Sequence, residues 1–339
     1  MQPVNFPYLA PTKPLGGRER VDKILEQIPL HPEDALKLYH ELAYASFAGI
    51  DHEVCKKACD YLIEHAKDKN QLCSGNYLKA EVLASVDQKF HEAIPYYRKA
   101  VELEPDADTI LLNFASCLEK VGKLDEALKC YHEVEKISLE EENESDWVYV
   151  EMAEVYFKKG ENENAKKYFQ KALDLEPENT EALCGLGRVA ATVDDYDGAM
   201  NYFEQALKLQ PEDAYIFYYI AHTWSLRDDF YRAMHFYTEA LKRKPDFAEV
   251  YNNIGSLYYN HEGDLKTALD NMLKALEIIG ERDEKILSMV YLNISKLYRQ
   301  ISEYDLADTY KTKFWESMGF PGNMDDAGED EDEGDEALN

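Results

Sequence analysis

Three stretches decide the fold: AKKYFQKALDLEP (165–177), AMNYFEQALKLQP (199–211) and AMHFYTEALKRKP (233–245). They end on Pro177, Pro211 and Pro245, which are spaced 34 residues apart, and AIPYYRKAVELEP (93–105) is a fourth copy ending on Pro105. Extending this register gives repeats that start at Ser74, Asp108, Asp146, Thr180, Ala214, Ala248 and Ser288. Four residues are inserted near 142–145, one near His261–Gly263, and the join after Gly280 is longer. A fixed period of this length, with apolar residues recurring every three or four positions inside each copy, predicts stacked helix pairs.

Within each repeat certain positions stay small. The twentieth is Ala93, Ala127, Ala165, Ala199, Ala233, Ala268 and Ala307. The eighth is Ala115, Ala153, Gly187, Ala221, Gly255 and Ser295, with Glu81 the one large exception. Two antiparallel helices pack closely only where side chains are small, and larger residues such as Phe169 and Phe203 interlock around that contact. The pattern resembles the tetratricopeptide repeat family, a 34-residue helix–turn–helix with small residues at eight, twenty and twenty-seven and proline near thirty-two. The resemblance covers residues 74–319 as seven repeats. It implies an all-α fold, a right-handed superhelical solenoid of antiparallel helix pairs.

The flanks read differently. Residues 21–73 are expected to form a divergent N-terminal cap or further repeat, because 32–69 carry two helical patterns whose small positions do not align with the rest. Residues 1–20 hold Pro3, Pro7, Pro11, Pro14 and Gly16-Gly17 and read as an extended, disordered arm. That arm is one candidate competitor for the groove. Residues 320–339 carry nine acids and no base and read as a disordered acidic tail. Pro95 falls inside a second helix, where it removes a backbone hydrogen bond and should bend the helix.

The chain has 339 residues, 67 acidic against 37 basic, and a net charge of −30. That balance disfavours nucleic acid and anionic membrane surfaces as partners. No apolar run is long enough for a membrane span. The six scattered cysteines read as reduced thiols, which suits the cytoplasm. Phosphate-binding, nucleophile-elbow and H-E-x-x-H signatures are absent, so no cofactor, no metal and no enzyme activity are expected. GLGRVA (185–190) carries glycines at small packing positions rather than in a nucleotide loop. His52, Cys55 and Cys59 share a helical face, but a tetrahedral ion needs a fourth ligand, and two buried cysteines in a helix pair is the favoured reading.

The resemblance implies a partner protein or peptide held on a concave wall of first helices, at positions two, five, nine and twelve, with six near its edge. Those positions hold Trp147 and Val150, then Arg188, then Tyr215, Tyr218, Tyr219 and His222, then Asn252, Asn253 and Tyr259. Aromatic side chains supply contact area and amides pair with an extended backbone. The lysine and asparagine clamp by which some members hold a chaperone C-terminus is missing, since position five has no lysine and position nine no asparagine. A continuous asparagine ladder at position six is also missing; only Asn113, Asn253 and Asn293 stand there. The expected function is a non-catalytic interaction scaffold or adaptor. The alternative is a chaperone-like holdase for a basic client, using the acidic surface and tail.

Overall fold

The computed structural model describes residues 17–48, 51–280 and 284–318. Seventeen α-helices and no strand occur among the described residues. They fall into two compact halves, Met1–Leu175 and Glu176–Asn339. The N-terminal half contains α1 (Gly17–Gln27), α2 (Ala35–Ala48), α3 (His52–His65), α4 (Lys69–Glu81), α5 (Phe90–Leu103), α6 (Asp108–Lys120), α7 (Leu124–Glu140), α8 (Asp146–Lys158) and α9 (Asn162–Leu175). The C-terminal half contains α10 (Thr180–Thr192), α11 (Tyr196–Leu209), α12 (Ala214–Leu226), α13 (Phe230–Arg243), α14 (Ala248–Leu257), α15 (Leu265–Ile279), α16 (Glu284–Gln300) and α17 (Tyr304–Ser317). Each even-numbered helix packs on the odd-numbered helix that follows it, from α2/α3 to α16/α17.

The small positions do what the spacing predicts. All seven alanines at position twenty are 0% exposed. Gly187 shows why position eight must be small: a Cβ there would stand 2.5 Å from the Phe203 ring, which is itself fully buried. At Gly255 the Cβ would stand 2.7 Å from Met272 Cγ and 2.9 Å from the Ala268 carbonyl oxygen. Glu81, the large residue at position eight, is held by hydrogen bonds instead. Tyr97 and Asn113 both donate to its Oε1, and Asn113 also donates to the Tyr77 hydroxyl. Burial raises the Glu81 carboxyl above its ordinary range, and those two bonds oppose the shift.

The turn between the two helices of a repeat is also regular. Its fifteenth position is left-handed throughout: Gln88 (φ 54°), Gly122 (74°), Gly160 (73°), Asp194 (60°), Asp228 (62°), Gly263 (61°, displaced by one) and Ser302 (65°). Glycine meets this without a Cβ penalty and aspartate tolerates it, whereas glutamine gains nothing locally. Both length irregularities are absorbed near such turns. The four-residue insertion lengthens α7 to 17 residues and closes on left-handed Glu142. The one-residue insertion falls at a π turn that closes α14, Tyr258–Glu262, and a second π turn, Val82–Val86, closes α4 in a repeat of ordinary length.

Helix α1 begins at Gly17, inside the segment expected to be an extended arm. Val21 and Ile24 bury against the cluster of Leu38 and Leu42, and Glu19 pairs with Lys23 at 2.8 Å; residues 1–16 lie outside the described residues. The divergent segment forms the α2/α3 pair, but its expected end at residue 73 falls within α4. That helix starts early because the Asp68 side chain accepts the Gln71 N–H at 2.9 Å. Helix α5 runs unbroken through Pro95, whose missing N–H removes one bond near the helix start. The acidic tail lies outside the described residues.

Replacing Gly187 by alanine forces a methyl into the Phe203 ring. A net loss of about 1–2 kcal/mol is expected once the alanine helix preference is set against the overpacking, read as a lower urea midpoint. Gln88→Gly has the opposite sign, a gain of about 0.5–1 kcal/mol from relief of the left-handed strain, read in the same titration.

Candidate functional site

The residues expected on the binding wall divide between the halves. In the N-terminal half Trp147, on the first turn of α8, is 45% exposed, while Val150 is 4% exposed and packs inside. Val150 is therefore a packing residue and offers no surface to a partner. Position five is covered here, although Tyr218 at the same position of α12 stays partly exposed. Asn252 is covered like Val150, at 4% exposed.

In the C-terminal half the first helices α10, α12, α14 and α16 lie side by side, and Arg188, Tyr215, Tyr218, Tyr219 and His222 come together on α10 and α12. Tyr218 lies at the centre. Its ring centroid is 5.3 Å from those of Tyr219 and Phe247, 6.3 Å from His222 and 6.4 Å from buried Tyr237. The Arg188 guanidinium sits 5.3 Å over the Tyr219 ring. Tyr215 is 44% exposed, packs edge-on to Phe247, and its hydroxyl accepts from Lys244 Nζ at 2.9 Å. Lys244 and Phe247 were not singled out from the sequence. Both belong to the connection before α14 rather than to a first helix, so repeat position gives no signal for them.

An amide chain continues from Tyr218. Asn253 Nδ2 donates to the Tyr218 hydroxyl at 3.5 Å, Asn252 Nδ2 to Asn253 Oδ1 at 3.4 Å, and Asn293 Nδ2 to Asn252 Oδ1 at 3.1 Å. The chain thus crosses α12, α14 and α16. Buried Asn252 is a link within it and not a contact for a partner. Tyr259 stands in the π turn that follows α14, and its hydroxyl accepts from Gln300 Nε2 at 3.4 Å.

Burial sets the protonation states within this cluster. Burial, and then the nearby Arg188 charge, lowers the His222 pKa below its ordinary value of 6.5, so the ring is neutral at pH 7 and offers one donor and one acceptor. Burial raises the Tyr218 phenol, with the Asn253 bond opposing it. The soft-ligand alternative of His52, Cys55 and Cys59 does not assemble. Cys55 and Cys59 are fully buried with their sulfurs 4.0 Å apart. Among the described residues the only cluster of three ligand atoms is the exposed His31–Glu33–Asp34. All six cysteines are buried and none is in a disulfide. No helix among the described residues is long and apolar enough to cross a membrane.

A histidine whose pKa is lowered on folding stabilises the folded chain above the unfolded value and loses that contribution as pH falls. His222→Asn should therefore flatten the fall in stability as pH drops below about 6.5. Urea midpoints at pH 7.5 and pH 5.5 measure this, and the difference between them should shrink in the variant.

Comparison with known proteins agrees with this fold. Residues 78–255, just over half of the chain, match the family described as the tetratricopeptide repeat protein 21 C-terminal ARM domain, and residues 248–281 match the tetratricopeptide repeat. The TPR repeat-containing protein YpiA of Bacillus subtilis (strain 168) is 29% identical over 176 residues, which is 42% of this chain and 40% of that protein. The chain thus spans well under two thirds of that relative. Among solved structures, a tetratricopeptide repeat protein from Parabacteroides merdae superposes with a TM-score of 0.66 at 17% identity, over 85% of this chain and 99% of the other. The APC/C hetero-tetramer Cut9-Hcn1 gives 0.53 at 17% identity, over 84% and 52%. With its 34-residue period, its paired helices and these matches, the chain belongs to the tetratricopeptide repeat family.

Proposed function

We propose that the chain is a non-catalytic interaction module that holds an extended segment of a partner protein across the first helices of its C-terminal half. The observation that carries this reading is the continuous run of side chains from Arg188 through Tyr215, Tyr218 and His222 to the asparagine chain on α14 and α16. The exposed Tyr215 and the partly exposed Tyr218 and Tyr219 give contact area at low entropic cost, and the partly exposed Asn253 amide and neutral His222 imidazole match the donors and acceptors of a peptide backbone. Tetratricopeptide folds generally mediate protein–protein contacts, and one structural neighbour is a subunit of a hetero-tetramer. Trp147, exposed on α8, is assigned to the same role in the N-terminal half. The working place of such a module is taken to be the cytoplasm, in keeping with six cysteines outside any disulfide.

The test is quantitative affinity capture with the full chain and with Tyr215→Ala/His222→Ala, the fold of the variant being checked by circular dichroism. A captured protein whose affinity drops at least tenfold in the variant supports the reading. Equal capture by both, abolished by salt or by removal of residues 321–339, overturns it in favour of a holdase for basic clients.

A further inference from the structure

The last helix carries the stripe by which earlier second helices dock the repeat that follows them. On α15 this stripe is Leu265, Leu269, Met272, Leu276 and Ile279, and all five share a core cluster with Leu287, Val290, Ile294 and Leu297 of α16. On α13, Phe230, Met234, Tyr237 and Leu241 share one with Val250, Ile254 and Leu257 of α14. Steps of four and three keep such residues on one helix face. The same steps on α17 give Tyr304, Asp308, Lys311, Trp315 and Met318. The neighbouring face of α17 is the one turned to α16: Ala307 is fully buried, and Tyr310 packs on Tyr291 and Tyr298 at 6.0 and 5.5 Å. The stripe itself is open. Tyr304 is 59% exposed, Met318 54%, and Ile301, in the turn before the helix, 40%. Its ends are apolar like those of α15, but its centre holds two exposed, opposite charges, Asp308 and Lys311.

We propose that two copies of the chain pair through this stripe, α17 antiparallel to α17 of the second copy, with a twofold axis passing between Thr309 and Tyr310. The order of the charges selects this occupant. A twofold contact is self-complementary, and in this register Asp308 faces Lys311 of the second copy while Lys311 faces its Asp308. Tyr304 then meets Trp315, and Ile301 meets Met318, so the apolar ends cover one another. Arg299 holds only Oδ1 of Asp308, at 3.4 Å across an exposed surface, and the other oxygen is the acceptor offered to Lys311. A parallel pairing sets each charge against its like. The acidic sequence of residues 325–336 suits Lys311 but is repelled by Asp308. The antiparallel register also sets the two Met318 residues about 25 Å apart along the helices, some three screening lengths, so pairing does not drive the two acidic sequences together. One helix pair is smaller than a standard interface, which places the dissociation constant at about 10–100 µM. The contact is separate from the wall on the first helices, and a dimer carries that wall twice.

Sedimentation equilibrium of the full chain, from about 1 to 200 µM, tests this. Wild type should pass from monomer to dimer and go no further. Asp308→Lys and Lys311→Asp each bring like charges together across the axis, and each should weaken dimerisation at least tenfold. Mixed in equal amounts, the two variants should dimerise at least as well as wild type, because each supplies the charge that the other lacks. The double variant Asp308→Lys/Lys311→Asp should dimerise like wild type. Both positions are exposed, and recovery in the mixture shows that neither variant had lost its fold. A wild type that stays monomeric throughout overturns the proposal. Single variants that dimerise like wild type place the contact elsewhere and overturn it, as does a mixture without recovery. Species that grow beyond the dimer mean an open head-to-tail contact with the other end of the chain and overturn it. So does a dimer seen only after removal of residues 319–339, which assigns the stripe to the chain's own acidic segment.

Discussion

The whole arrangement depends on how closely two helices approach at the point where one repeat folds back on itself. Position twenty is fully buried alanine in all seven copies, and at position eight of the fourth copy the space for a single methyl is already filled by the edge of Phe203. Aromatic residues one turn away can reach into the core only because these contacts are bare. The first helices are thereby set side by side, and their outer positions form a wall. The wall in the C-terminal half rests on this core packing.

The exception at Glu81 shows how strict the rule is. A carboxylate in place of alanine needs two donors, Tyr97 and Asn113, to be accommodated, and it remains raised in pKa by burial. A polar group in this seam is tolerated as part of a network or not at all. The asparagine chain across α12, α14 and α16 is the same solution in the C-terminal half.

The sequence made the repeat, the helix pairs and the small positions readable because each is a local constraint repeated seven times. Position five was misread for Val150 and Asn252, since helical spacing tells which side of a helix a residue occupies but not how tightly the next helix covers it. The start of α1 at Gly17 was hidden by the prolines and glycines before it, although Val21 and Ile24 carry the apolar spacing. Lys244 and Phe247 were missed because they lie between helices, where periodicity has nothing to say. The left-handed fifteenth position was visible only as a mixture of glycine, aspartate, serine and glutamine, a set with no shared chemistry until the backbone angle is known.

The π turn at Tyr258–Glu262 has a consequence for how such a chain tolerates change in length. An added residue in a regular helix rotates everything after it by about 100°, which would turn the apolar stripe of α15 away from α14. Here the extra residue falls at the π turn, the left-handed residue moves on by one to Gly263, and Ala268 returns to its buried place. The defect behaves like an interstitial atom in a lattice, its distortion confined to the nearest cell while the order beyond it is intact. A repeat array built this way can gain or lose single residues at its turns without losing register along its length.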